Sequence, residues 1–220
     1  MDDELKIICN PWFYILIKTR STIQLIVDIE PKMLVILLSM VGGIVYMFSN
    51  LNGNKSWLIL EPCLSATVIV TIIGMVLGII WLFLYSHIVK ITGKILGGES
   101  SAENIRTAIA WSNIPIILVL LLWIFKIFYY GYEIFIIEDI LLLEMKSQFN
   151  LLRWVNLVID LLYLWSVLLF VICLSEVQNF SIIKSIANLI LSMILTVSPI
   201  LVTILGFIIY KLPQAIKILV

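Results

Sequence analysis

Two ionisable residues, Lys126 and Asp160, lie within otherwise apolar stretches of the chain and are the first candidates for chemistry. A charged side chain in hydrocarbon is costly, so it is usually functional or paired with another group. Asp160 follows Trp154 by six residues, which is about 9 Å along a helix. If the two stretches form antiparallel neighbouring helices, Lys126 and Asp160 lie at similar depth, with Asn156 one turn away. This arrangement predicts an ion pair that clasps two helices or, alternatively, part of a proton or ion path. Lys126 could otherwise extend its ammonium group to the lipid headgroups.

The other reactive residue types do not form a recognisable reaction centre. His87 is the only histidine, so neither a catalytic triad nor a histidine metal cluster is expected. Cys9, Cys63 and Cys173 are widely separated and lack metal-ligand spacing. No phosphate-binding glycine loop, GxSxG motif or HExxH motif occurs. We therefore expect no catalytic residue, no metal and no cofactor, and the formal net charge of zero argues against nucleic acid as a partner.

Long stretches without charged residues indicate the fold class. The chain is 62% hydrophobic and 13% charged, which is too apolar for a water-soluble domain of this size. Residues 33–54, 62–89, 107–125 and 185–210 contain no charged residue, and residues 154–175 contain only Asp160. Each of these five stretches reaches the roughly 20 residues that a helix needs to cross about 30 Å of hydrocarbon. We therefore predict an all-α, polytopic membrane protein with a bundle of five transmembrane helices. The predicted spans, numbered 1 to 5, are residues 33–49, 62–85, 109–130, 154–175 and 185–210.

The N-terminal segment is too polar to span a membrane. Asn10-Pro11 is typical of a helix start, since asparagine caps free amides and proline fits the first turn. Lys18 and Arg20 interrupt the apolar residues of 12–29. We expect an interfacial amphipathic helix with both cations at the lipid headgroups. Packing against the protein as an ordinary surface helix is the alternative.

Small residues recur at helical spacing in two of the predicted spans. Such a stripe lets a second helix approach closely. Span 2 carries Thr67, Thr71, Gly74 and Gly78, and span 5 carries Ser192, Thr196, Pro199, Thr203 and Gly206. The two stripes predict that spans 2 and 5 are neighbours. Ser39 and Gly43 give span 1 a shorter pattern of the same kind.

The polar stretch between spans 2 and 3, residues 86–116, carries the signals of a helical hairpin. A basic helix end precedes Gly97-Gly98, where two glycines favour a break and provide a hinge. The pattern from Ser100 to Glu103 predicts a capping box that starts the next helix. We expect the hairpin to be a partner-binding site. Its candidate residues are Lys90, Lys94, Gly97, Gly98, Glu99 and Arg106.

Several of these elements together resemble the Yip1 domain family. They are Asn10-Pro11-Trp12, Val27-Asp28-x-x-Pro31, Gly42-Gly43, the Gly97-Gly98 break, Ala108-x-Ala110-Trp111-Ser112-x-x-Pro115, Leu164-Trp165-Ser166 and Leu174-Ser175-Glu176-Val177-Gln178. The last two resemble the bacterial members in particular. The resemblance implies a five-span integral membrane protein with a cytoplasmic N-terminus. Eukaryotic members act in Golgi and endoplasmic reticulum trafficking through small GTPases, whereas some bacterial members look like accessory partners of export or stress-response systems.

Two functional hypotheses of different classes follow. The first is a non-catalytic accessory or scaffold protein that binds another integral membrane complex, for example an ABC-type exporter. The second is a small channel or transporter with a path near Asp160. The lack of an evident internal repeat and the single deep charge count against transport.

The expected location is the cell membrane, with several passes through the lipid bilayer. We divide the chain into a cytoplasmic N-terminus, residues 1–32, and a five-helix domain, residues 33–220. Five spans place the C-terminus opposite the N-terminus, and a cytoplasmic N-terminus puts eight cations inside against six outside, the usual sign of the charge bias. Self-association into a homo-oligomer stays open.

Overall fold

The computed structural model describes residues 10–29, 32, 34–51, 64–131, 134–135 and 146–199. Within these residues every regular element is an α-helix, which confirms the predicted all-α class. The helices longer than one turn are, in chain order, α1 (Pro11–Ile17), α2 (Thr19–Ile29), α3 (Val35–Leu51), α4 (Leu64–Ile95), α5 (Ala102–Ser112), α6 (Ile114–Tyr130), α7 (Lys146–Val177) and α8 (Ile182–Pro199).

Three helices in the described part of the chain are long and apolar enough to cross a bilayer: α4, residues Leu151–Val177 of α7, and α8. Helices α5 and α6 form a fourth candidate span when they are taken together, with a bend of 42° between them. The apolar helix α3 has 17 residues, which rise about 25 Å and fall short of the roughly 30 Å of hydrocarbon. The structure therefore confirms a polytopic membrane protein, while the count of five spans stays a prediction.

Large apolar side chains cover the outside of the helices. Phe128 is 90% exposed and Ile183 is 79% exposed. Exposure on this scale is unfavourable in water and is expected for helices surrounded by lipid tails. Polar residues are buried between the helices instead, and Ser185, Asn188 and Ser192 are fully buried.

Glycines bring α3 and α4 into backbone contact. Gly43 of α3 lies against Gly74 and Gly78 of α4, and a Cβ atom at Gly78 would be 3.0 Å from Gly43 Cα. Small residues allow this approach because no side chain separates the two backbones. The stripe at Gly74 and Gly78 therefore packs against span 1, and it does not mediate the contact with span 5 that its spacing predicts.

Helices α4 and α8 are nevertheless neighbours, as predicted, through another face of α4. Tyr85 Oη and Ser192 Oγ are 3.0 Å apart, and the Thr92 hydroxyl donates to the Asn188 side chain. Asn188 Nδ2 also donates to the Val89 carbonyl oxygen at 3.4 Å. Hydrogen bonds of this kind hold helices together where lipid supplies no polar partner.

The stripe predicted for span 5 is only partly within the described residues. Ser192 makes the contact with α4, and the Thr196 hydroxyl donates to the Ser192 carbonyl oxygen of its own helix at 2.7 Å. Pro199 is the last residue of α8. Thr203 and Gly206 lie outside the described residues.

The third predicted span is broken rather than continuous. Helix α5 ends at Ser112, and α6 begins at Ile114 with Pro115 in its first turn. Proline has no amide hydrogen, so a helical hydrogen bond is missing at this point and a bend results. The Ser166 hydroxyl of α7 donates to the Ser112 carbonyl oxygen at 2.9 Å, which satisfies one of the carbonyl groups that the break leaves free.

The N-terminal segment forms two helices, α1 and α2, with a break at Lys18. Ile15 and Ile23 are fully buried in the same apolar cluster as Trp111 of α5. The Trp12 and Trp111 ring centroids are 5.6 Å apart. The buried face of this segment therefore packs on the protein, which was the alternative to an interfacial helix, and lipid contact by its outer face stays a prediction.

Candidate functional site

The predicted ion pair between Lys126 and Asp160 is not formed in the structure. Lys126 is fully buried, and its Nζ donates to Asn156 Oδ1 at 3.1 Å. The same ammonium group lies 4.0 Å from the centroid of the Trp123 ring. Asp160 is exposed on α7, one turn beyond Asn156. Asn156 and Asp160 are four residues apart and therefore lie on the same face of α7. The neutral amide is level with the lysine, whereas the carboxylate lies one turn further along the helix and is exposed.

Glu176, near the end of α7, connects that helix to the N-terminal segment. Its Oε2 lies 3.8 Å from Arg20 Nε, and its Oε1 accepts a hydrogen bond from the Gln24 side chain. The Glu176 side chain is 19% exposed and the Arg20 side chain 59%, so water screens the pair only in part. These two contacts hold α2 beside the turn that joins α7 to α8.

A second ion pair attaches the central hairpin to the residues just before α3. Lys32 Nζ is 3.5 Å from Glu103 Oε1. Helix α5 begins one residue later than the predicted capping box, because Ser101 rather than Ser100 is the N-cap and accepts from the Asn104 amide at 3.1 Å. Glu103 is consequently available to Lys32. The hairpin therefore lies at the same end of the protein as α2.

The turn between α7 and α8 packs beneath the hairpin. A Cβ atom at Gly98 would come within 2.7 Å of Phe180 Cζ and would also collide with Gln178. Lys184 Nζ donates to the Leu96 carbonyl oxygen at 3.4 Å. We call the surface made by Arg20, Gln24, Lys32, residues 96–103 and residues 176–184 the polar end.

The two glycines predicted as a hinge have different roles. Gly97 adopts φ +89°, the left-handed region that glycine favours, and a Cβ atom there would meet nothing within 4 Å. The Gly98 amide donates to the Gly93 carbonyl oxygen at 2.9 Å, which is the usual closure of a helix end. Gly97 therefore provides the turn, whereas Gly98 provides the space into which Gln178 packs.

The charged candidates of the hairpin are divided between two surfaces. Glu99 is exposed at the polar end. Lys90 and Lys94 are exposed along the side of α4. Arg106 is half-buried on α5, with its guanidinium carbon 4.8 Å from the centroid of the Phe83 ring. The hairpin thus has an exposed tip and, separately, a basic side.

The comparison with family models identifies the architecture. The model described as the Yip1 domain matches residues 13–210. The chain belongs to the Yip1 domain family. The resemblance inferred from the Asn10-Pro11-Trp12 opening and the Ala110-Trp111-Ser112 re-entry is thereby confirmed. No curated protein and no solved structure matches the chain.

The match to the Yip1 domain begins within α1, so the family model takes in the N-terminal helices together with the membrane bundle. This agrees with the packing of Ile15 and Ile23 against Trp111. The polar end as defined above lies entirely within the matched residues. It therefore belongs to the part of this chain that matches the Yip1 domain.

The described residues of this Yip1 domain contact one another through hydrogen bonds, ion pairs and apolar packing. Among the described residues, no group of three His, Cys, Asp or Glu side chains is close enough to hold a metal ion. Cys173 is fully buried, with a free thiol, in the apolar cluster around Trp111.

Several polar residues of the Yip1 domain were not predicted as site residues. Asn188 and Gln178 are nearly completely buried at the junction of α4, α8 and the turn. The Gln178 Nε2 atom and the Ser185 hydroxyl, both buried, have no hydrogen-bond partner within the part of the chain that the structure describes. An amide in or beside an apolar span was the available signal, since polar groups in lipid usually contact another helix.

Proposed function

We propose that this Yip1-domain protein is a non-catalytic accessory or scaffold subunit that binds and supports another integral membrane complex, for example an ABC-type exporter. One observation carries the proposal: three segments far apart in the sequence form a single polar surface at one end of the bundle. These segments are α2, the hairpin at residues 96–103, and the turn at residues 176–184. A surface assembled in this way is suited to docking.

The polar end is held in shape before any partner binds. Glu176 engages Arg20 and Gln24, Glu103 engages Lys32, and the backbone of residue 96 accepts from Lys184. A preorganised surface loses little conformational freedom on association, so more of its contact energy appears as affinity. Glu99, Ser101 and Asn179 are exposed on this surface and are available to a partner.

The proposed orientation places the polar end in the cytoplasm. The described residues around it include seven cations and four acidic residues: Lys18, Arg20, Lys32, Lys90, Lys94, Arg106 and Lys184 against Asp28, Glu99, Glu103 and Glu176. Cytoplasmic loops of membrane proteins carry an excess of lysine and arginine. A cytoplasmic polar end agrees with the orientation that the resemblance implies, and it supports a partner site on that side of the cell membrane.

The experiment is crosslinking and co-purification of the full-length tagged protein from native membranes. Glu99→Lys reverses an exposed charge at the tip of the hairpin, and it should reduce recovery of the partner complex without changing the amount of inserted protein. Arg153→Gln alters an exposed charge at the other end of α7 and should leave recovery unchanged. Equal recovery with all three proteins would contradict a docking role for the polar end.

A second measurement separates support from transport. The purified protein is placed in liposomes, and the flux of ions or small solutes is recorded. The accessory function predicts no flux. Flux that is lost with Asp160→Asn would replace the accessory function with that of a channel or transporter.

A further inference from the structure

We propose that the basic side of the hairpin is a binding site for the headgroup of an anionic phospholipid. Phe83, His87, Lys90 and Lys94 follow one another along α4 at intervals of four, three and four residues, and all four are exposed. This spacing places them on one face of the helix, over about 16 Å of its length. Arg106 joins them from α5. We call these five residues the basic stripe.

Arg106 lies at the apolar end of the basic stripe. Its guanidinium carbon is 4.8 Å from the Phe83 ring centroid, and the His87 Nδ1 atom is 2.7 Å from the Phe83 carbonyl oxygen. Stacking on an aromatic ring leaves the edge of a guanidinium free, and that edge can form two parallel hydrogen bonds to a phosphate. Phe83 thus holds the arginine beside the exposed face of α4.

The cations of the basic stripe have no acidic partner among the described residues. Glu103, one turn before Arg106 on α5, pairs with Lys32 instead. Glu176 pairs with Arg20. Lys90, Lys94 and Arg106 therefore form a concentration of positive charge to which an anion is complementary.

The neighbouring apolar residues favour a phospholipid over a soluble anion or an acidic protein segment. Ile80, Leu84 and Ile91 flank the stripe and are 48%, 58% and 56% exposed. On a membrane protein these side chains contact acyl chains. The cations begin where the charge-free residues 64–89 of α4 end. The headgroup of one lipid therefore contacts the cations, and its acyl chains contact the apolar side chains, on the same face of α4.

The site is tested with the full-length protein in nanodiscs containing equal amounts of phosphatidylglycerol and phosphatidylcholine. Native mass spectrometry gives the ratio of the two lipids that remain bound. We expect an excess of phosphatidylglycerol on the wild-type protein. Each neutralised cation should lower that excess about fivefold, so Lys90→Gln with Lys94→Gln removes most of it and the further change Arg106→Gln removes the rest.

Two controls make the result decisive. Lys90→Arg with Lys94→Arg preserves the charges and should retain the excess, and Arg153→Gln removes a cation elsewhere and should also retain it. The double Lys→Gln variant alters only exposed residues, so the lipid ratio measured with it can be interpreted even if Arg106→Gln disturbs α5. An unchanged lipid ratio in this variant would overturn the proposal. Loss of a co-purified protein with an unchanged lipid ratio would show that the stripe binds protein instead. The lipid ratio does not depend on binding at the polar end. The lipid site and the proposed accessory function can therefore be contradicted separately.

Discussion

Gly43 of α3 and Gly78 of α4 pack backbone against backbone, with the position of a Gly78 Cβ atom 3.0 Å from Gly43 Cα and closer still to the Ser39 carbonyl oxygen. The two helices are therefore held at a distance that no larger residue allows. In a bilayer the lipid tails are as apolar as the side chains, so the hydrophobic effect does not drive helices together. Close packing of this kind is therefore a main source of helix association.

Replacing Gly78 with alanine should separate α3 from α4. The added methyl group collides with backbone atoms, which cannot rotate away, so we expect a loss of about 1–3 kcal/mol in the free energy of unfolding. Thermal unfolding in detergent measures the effect. Val76→Ala, at an exposed position of the same helix, is the matched control and should change little. Equal stability of Gly78→Ala and wild type would contradict the backbone contact.

Asn156 rather than Asp160 should be the residue that stabilises buried Lys126. Asn156→Leu removes the acceptor at 3.1 Å from Lys126 Nζ, and we expect a cost of about 1.5–3 kcal/mol for the loss of a hydrogen bond from a charged donor. Asp160→Leu should not lower the stability, since Asp160 is exposed on a candidate span and an apolar group is favoured over a charge that faces lipid.

A double-mutant cycle with Lys126→Met checks this assignment. Coupling between positions 126 and 156 is expected because the two side chains are hydrogen-bonded. If position 126 is coupled to 160 and not to 156, the ion pair predicted from the sequence is present and the hydrogen bond to Asn156 is not the stabilising contact.

Gly98→Ala should weaken the attachment of the hairpin to the turn between α7 and α8. A methyl group at position 98 meets the Gln178 side chain and Phe180 Cζ, and overpacking of this kind costs about 1–3 kcal/mol. Gln178→Ala in the same chain frees space and should recover part of the loss. The stability of the single and double variants is compared by thermal unfolding. Val76→Ala, at an exposed position of α4, serves as the reference, and a Gly98→Ala variant as stable as that reference would exclude the packing role.

The proposed orientation can be tested by thiol labelling in intact cells. Cys9 and Cys63 are changed to serine, while Cys173 is buried and stays in place. Glu99→Cys should then react only with membrane-permeant reagents, because the polar end is assigned to the cytoplasm. Gln148→Cys, in the first turn of α7 and ahead of the candidate span Leu151–Val177, should react with impermeant reagents. The opposite labelling pattern would invert the orientation.

Composition and local patterns were sufficient to predict the fold class and the family. A long apolar stretch can satisfy its backbone polar groups in lipid only as a helix, so charge-free residues indicate spans directly. Local signals also predicted the break at Gly97-Gly98 after α4 and the start of α5 close to Ser100, since such signals act within a single turn. The start is displaced by one residue because two adjacent serines can both serve as the cap, and Ser101 does so.

The choice of partners between helices depended on the tertiary structure alone. The spacing of Gly74 and Gly78 shows that a helix can be approached closely, but it does not identify the partner, which proved to be α3. Likewise, the preference of Lys126 for Asn156 over Asp160 follows from the height along α7 at which α6 packs against it. The outer surfaces of membrane helices are all similarly apolar, so hydrophobicity does not select neighbours. Neighbouring helices are selected by their complementary shapes and by a few hydrogen bonds, which form only when the helices are packed together.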